Sequence, residues 1–505
     1  MSRDRGLRMN SSSIFLDVQL PTATTWFYMS LGMVVALFFR FRRAWQLRNW
    51  DLLLLFFLVP PLLALREAQD RRAQREMDWQ QGAPRLMHSL QVANWVLAAP
   101  VRGGVVPIAV GDAAGLGRTM GQAAAPTDRG VWRAYLWLLI GSAVLWLRCL
   151  IDVALFRRSA YTPNLAIGNL IWLGLMIFLV MASRPFLPGW EAPPQAQTQS
   201  LVLDKVVHAA LAGFQTWDWS PSAVNQLVAL FSLACHLGVI LALIWIGWAH
   251  FGDGAIGVAA AVCYLLMPYT AFHLTIVEQV VPALLVVLAV AAFRMPIVAG
   301  ISLALGGFLC FFPFLLLPLW ISFYRRAGLY RFLLGAGSVC LVGLCVLLSD
   351  PELSSNLESI LHRVEWQPWM FGAHPSAESL WTGVANHYVY RLPLFVVYLA
   401  FLLAFLFWPS PKHLGHMIAL SAGLILGVQF WYADAGGIHV QWYLPLLILM
   451  VFRPTLNDRV PLPLDRDKDW RCRLWRWLSR RWHRPLRTGL SPSLTKQPKT
   501  PVRLD

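Results

Sequence analysis

Apolar residues in this chain gather into long runs, without the strict apolar/polar alternation of half-buried strands. Crossing a bilayer core of about 30 Å takes about 20 residues at a helical rise of about 1.5 Å each. Runs at or near that length cover residues 25–39, 52–65, 134–156, 165–182, 226–249, 255–269, 276–293, 297–323, 332–348, 392–408, 414–430 and 440–452. The pattern predicts an all-α protein, a polytopic transmembrane helical bundle of about 11–13 spans.

The run over residues 296–324 is too long for one crossing, since it would reach about 44 Å as a single helix. Pro313 near its middle removes a backbone donor, so a hairpin of two short helices is expected. The hairpin puts Arg294 on the same side as Arg325, Arg326 and Arg331, as the positive-inside rule prefers; one kinked helix would separate them. Carried along the chain, this places Arg157, Arg158, Lys412 and the C-terminal tail inside. Loops 183–225 and 349–390 and the turn 269–276 then lie outside. Run 52–65 is short enough to be re-entrant, and arginines flank it on both sides (Arg48 and Arg66), which leaves the orientation of residues 1–133 open.

The runs divide the chain into three regions. Residues 1–164 form an N-terminal membrane region with a polar, Gly/Ala-rich insertion, 165–452 a transmembrane core, and 453–505 a basic cytoplasmic tail. The first apolar run ends in FRFRR with no small-residue cleavage site, which reads as a retained span.

Composition narrows the function. Charged residues make up 13% of the chain and hydrophobic ones 57%, against about 25% charged in soluble domains. This excludes a soluble enzyme and a simple nucleic-acid binder. Much of the +16 formal charge sits in the tail, where Arg471, Arg473, Arg476, Arg480, Arg481, Arg484 and Arg487 interleave with Trp470, Trp475, Trp477 and Trp482. Such a stretch suits anionic headgroups, so membrane lipids are expected partners and nucleic acid is not. A multi-pass protein of the cytoplasmic (inner) membrane is expected. The seven cysteines show neither a disulfide framework nor a metal-ligand spacing, and no metal or cofactor is implied.

Ionisable groups in or beside spans are costly unless partnered or used. Asp152 follows Arg148 by four positions, which predicts a structural ion pair on one helix face. Glu278 and Gln279 sit at the outer end of their span, lining a cavity or reaching headgroups. The first outside loop carries Glu191, Asp204, Lys205, His208, Asp218, Trp217 and Trp219. The second carries Glu358, His362, Arg363, Glu365, Trp366, His374, Glu378 and His387. Carboxylates, imidazoles and indole faces together suit sugar or phosphosugar chemistry, although exposed loops are polar in any case.

From Asp204 to Tyr324 the chain presents in order DKVVHAALAGF (Asp204–Phe214), Pro268, Glu278 and Gln279 in MPYTAFHLTIVEQVVPALL, and Ala299, Gly300, Pro313, Arg325 and Arg326 in the hairpin. This order of features resembles the GT-C superfamily of membrane glycosyltransferases, most of all the polyprenol-phosphate-mannose-dependent mannosyltransferases. HVQWYLPLL (His439–Leu447) is similar to the start of the family's late helices. The likeness spans about residues 165–452, with two departures: Cys310 where the family usually has lysine, and Glu278 where it usually has glycine.

The resemblance implies a GT-C-like core and a hexosyltransferase. It would move a sugar such as mannose from a polyprenyl-phosphate donor to a glycan or lipid acceptor on the outer face. Asp204 would be the catalytic base, with Lys205, His208, Glu278, Gln279 and His439 binding substrate. For Asp204 the plainer alternative is a cap on an interfacial helix. The rival functions are a lipid or small-solute transporter or flippase, and a non-catalytic membrane protein of the same fold.

Overall fold

The computed structural model describes residues 23–67, 129–155, 163–186, 221–348, 381, 387–432 and 439–456. They form an all-α, polytopic helical bundle, with no strand among the described residues. In chain order the helices are α1 (Ala23–Phe38), α2 (Leu47–Phe57), α3 (Arg129–Asp152), α4 (Ile167–Ser183), α5 (Pro221–Ile246), α6 (Gly254–Leu266) and α7 (Pro268–Phe272). There follow α8 (Val277–Ala291), α9 (Pro296–Leu309), α10 (Phe312–Tyr324), α11 (Leu329–Leu348), α12 (His387–Phe407), α13 (Leu414–Trp431) and α14 (Leu444–Phe452).

Six described stretches are long and apolar enough to cross a membrane: Leu47–Glu67, Val131–Asp152, Ile167–Phe186, Gln226–Phe251, Val389–Phe407 and Leu414–Trp431. This is a multi-pass membrane protein. Its layering follows from what each helix covers. In α13 94% of the apolar window is buried, against 17% in α12 and 22% in α4. A helix apolar all round and wholly covered is a core element, whereas the bare flanks of α4 (Ile171, Trp172, Leu179, Val180) and α12 (Val396, Val397, Leu403) are surfaces for lipid.

The expected hairpin forms. Cys310 is extended (φ −151°, ψ 135°) and ends α9, while Pro313 falls in the first turn of α10, where its missing N–H costs nothing. Tyr324 Oη, at the far end of α10, donates to Phe293 O at 2.6 Å, just before α9 begins. Arg294 and Arg325 therefore share one end of the bundle, the basic end. From there α11 runs parallel to α9, with Gly300 set against the Phe332 backbone and Gly335 against the Ile297 backbone. Backbones come this close only where side chains are missing. Gly335→Leu should therefore cost about 1–3 kcal/mol through overpacking, seen as a lower melting temperature of the full chain in detergent; an unchanged melting temperature would contradict the contact.

The N-terminal segment settles differently from a re-entrant loop. After a turn at Leu58 the helix resumes to Glu67, so α2 is the first part of a 21-residue span, Leu47–Glu67, in place of the 14-residue apolar run. Its first turn looks polar in sequence, yet Arg48, Asn49 and Asp51 are buried and partnered. Asn49 accepts from Arg40 N at 3.1 Å and donates to the carbonyls of Arg40, Arg43 and Ala44, closing the α1–α2 turn. Arg48 Nε donates to Val451 O at 3.1 Å. Arg40, Arg42 and Arg43 thus join the basic end, and Arg66 reaches the opposite end, over the Phe272 ring. Exposed Trp45, Trp50, Trp248 and Trp408 ring the basic end, as expected of an interfacial belt.

Beneath that belt lies a chain of buried charges. Arg148 holds Asp51 through two bonds (Nε–Oδ1 2.5 Å, Nη2–Oδ2 2.8 Å) and Asp152 through Nη1 at 3.1 Å. Arg453 grips Asp152 Oδ2 with Nε at 3.0 Å and Nη2 at 2.5 Å. The Arg148–Asp152 pair read from spacing is thus the middle of a network joining α2, α3 and the end of α14. Helices from residues 1–164 and from 165–452 also share one hydrophobic core; Phe38 meets Phe452 edge-on at 5.4 Å.

Candidate functional site

At the end opposite the basic one, the first turn of α8 meets the 3-10 turn Val440–Trp442 that leads into α14. A 3-10 turn eclipses positions i and i+3, and His439 accordingly lies flat on Trp442, with ring centres 3.9 Å apart and planes 4° apart. Phe312, opening α10, also stacks on Trp442 at 4.5 Å. The stack fixes the imidazole plane so that its Nδ1 meets Gln279 Nε2 at 3.0 Å. With the amide donating, Nδ1 accepts and the ring proton sits on Nε2.

The next residue of the turn faces elsewhere. Gln441 donates to Tyr264 Oη at 2.6 Å, and Tyr264 Oη lies 2.8 Å from His236 Nδ1. Because the His273 carbonyl beside His236 Nε2 can only accept, the ring proton sits on Nε2, and Nδ1 accepts the Tyr264 hydroxyl proton. His236 Nε2 then points at the His273 carbonyl, 3.5 Å away. Thr270 Oγ1 ties the same segment by donating to Tyr264 O at 2.7 Å. These are directed contacts in an otherwise apolar layer, which holds the cluster rigid.

Gln279 Oε1, Gln441 Oε1 and Trp442 Nε1 are buried here with no hydrogen-bond partner among the described residues. Leaving such an atom unpaired costs about 1–3 kcal/mol. Two amide acceptors and an indole donor are neutral, directional groups, a set that matches hydroxyls better than it matches a phosphate.

Of the residues singled out in sequence, Gln279 and His439 are in contact across 160 positions. Glu278, half-buried beside Gln279, acts electrostatically on the Cys310 thiol at the α9–α10 break. Asp204, Lys205 and His208 lie outside the described residues. So do residues 187–220 and 349–380, which hold most of the loop candidates. Gln441, Trp442, Tyr264 and His236 are functional candidates that sequence reasoning passes over, and their signal is a polar or ionisable group inside an apolar run. Comparisons with protein-family models, curated proteins and solved structures find no match to this chain.

Proposed function

We propose that the chain is a membrane glycosyltransferase that moves a hexose from a polyprenyl-phosphate donor to a hydroxyl of a glycan or lipid acceptor on the outer face. The observation that carries the reading is the Gln279–His439 bond beside the Trp442 stack, with the unpartnered Gln279 Oε1 and Trp442 Nε1 next to it. Those groups suit sugar hydroxyls. By the positive-inside rule the basic, Trp-ringed end is the cytoplasmic one, which makes this cluster, at the opposite end, outward-facing.

The chemistry needs a base and a cation. Asp204 takes the proton of the acceptor hydroxyl, whose oxygen attacks the anomeric carbon while the polyprenyl phosphate departs with the bonding pair. The leaving group is already stable as a phosphate monoester, so a positioned carboxylate and charge stabilisation suffice. With a neutral thiol at position 310, Lys205 and His208 take the phosphate.

Proteoliposomes holding the full chain, a hexose-labelled polyprenyl phosphate and a membrane glycolipid extract test this reading. A new glycosidic bond that appears with released polyprenyl phosphate is the expected result. Labelled donor crossing the bilayer with its sugar bond intact would identify a flippase instead.

A further inference from the structure

The basic end holds a feature that the transferase chemistry does not use. A cleft of about 530 Å³ opens between the end of α10 and the α12–α13 loop, lined by Ser322, Arg325, Arg326, Leu406, Phe407 and Lys412 among others. It contains three cations and no carboxylate. Neither Arg325, Arg326 nor Lys412 pairs with a carboxylate among the described residues; the described ion pairs all belong to the Asp51–Arg148–Asp152–Arg453 network.

Lys412 is the informative group, being only 6% exposed. Ser322 Oγ donates to Leu406 O, which turns its lone pairs toward Lys412 Nζ at 2.8 Å. That accounts for one of three ammonium protons. A buried ammonium with spare donors, beside two exposed guanidiniums, is a built anion site. Its outer wall is apolar and faces the hydrocarbon: Phe407 is 68% exposed and its neighbour Trp408 57% exposed. The cleft therefore lies at the headgroup level marked by the Trp belt, with acyl-chain surface directly below it.

We infer that this cleft seats the phosphate of an anionic lipid headgroup, with Lys412, Arg325 and Arg326 as its ligands and Phe407 against the acyl chains. The lipid is preferred over free phosphate because more than half of the cleft is apolar and Leu406 and Phe407 carry it onto the lipid-facing surface of α12. Lys412 titrates near neutrality: burial, and then Arg325, push it down to about 8. Nearby His413 does not add charge, since burial, His416 and Arg453 push it down to about 3. His416 lies beyond it, bonded to Val153 O. Binding should therefore be full at pH 7 and weaken between pH 8 and 9 as the Lys412 proton is lost.

Native mass spectrometry of the full chain in detergent, titrated with phosphatidylglycerol and phosphatidylcholine, tests the site. Phosphatidylglycerol should bind more tightly, and each cation removed should cost about fivefold, so Arg325→Gln/Arg326→Gln costs about 25-fold. Lys412→Arg should keep its affinity at pH 9, where the parent chain loses it, a result that misfolding cannot mimic. Arg42→Gln/Arg43→Gln, exposed cations of the same end, should change nothing. An equal loss in that control would reduce the site to a general surface field. Displacement of the lipid by equimolar inorganic phosphate would show that the cleft reads free phosphate, and either result overturns the inference.

Discussion

Replacing Arg148 with methionine should destabilise the protein by about 3–5 kcal/mol, the largest loss expected from any single change in the described structure. Arg148 is the centre of a line of four charges, and Asp51 has both of its ion-pair contacts through it. Without the guanidinium, Asp51 keeps a carboxylate that is 2% exposed and has lost both of its ion-pair contacts among the described residues. Asp152 fares better, because Arg453 still holds its Oδ2. The cost should therefore fall mainly on the Asp51 side. The check is thermal unfolding of the full chain in detergent with Arg148→Met, Asp51→Leu and the two together. The double variant should recover much of the single-variant loss, since a neutral apolar pair leaves no buried charge behind. Additive losses would contradict the network.

The second large effect concerns activity. Asp204→Ala should lower sugar transfer by about 10²–10⁴-fold, the usual contribution of a positioned general base, with expression and melting temperature unchanged. Asp204→Asn should fall as far, because an amide keeps the shape and the capping capacity but cannot take a proton. That pair separates catalysis from helix capping. A capping aspartate tolerates asparagine, since both residues accept the same N–H bonds. If Asp204→Asn transfers at the parent rate, the residue is a cap and the base lies elsewhere.

Run length in the sequence is enough to locate the described spans, because lipid selects for apolar stretches long enough to cross it. The α9–α10 hairpin is legible for a second reason: proline and the distribution of arginine agree on it. What run length misses is polarity that is buried and paired. The span Leu47–Glu67 is longer than its apolar run because Asn49 and Asp51 are satisfied by groups that sequence does not place near them. Asp51 meets Arg148 across 97 positions, and Arg453 meets Asp152 across 301. Only the Arg148–Asp152 step, four residues on one helix, shows itself locally.

The candidate site divides in the same way. Gln279 and His439 stand out by resemblance, yet their contact depends on α8 and the turn before α14 being brought together. Gln441 and Tyr264 are visible only as polar residues in apolar runs, and nothing local says that they bond to each other. The 3-10 turn is the element that decides the site: it sends His439 and Trp442 to one side and Gln441 to the other.

A cryo-electron microscopy map of the full chain in nanodiscs, with a polyprenyl-phosphate hexose bound, is the most direct measurement. The sugar should lie within hydrogen-bond reach of Gln279 Oε1 and Trp442 Nε1, with the Asp204 carboxylate facing the same space and the polyprenyl chain leaving toward lipid. A donor lodged against the lipid-facing helices, or an Asp204 turned to bulk water away from that cluster, would contradict the assignment of this site to sugar transfer.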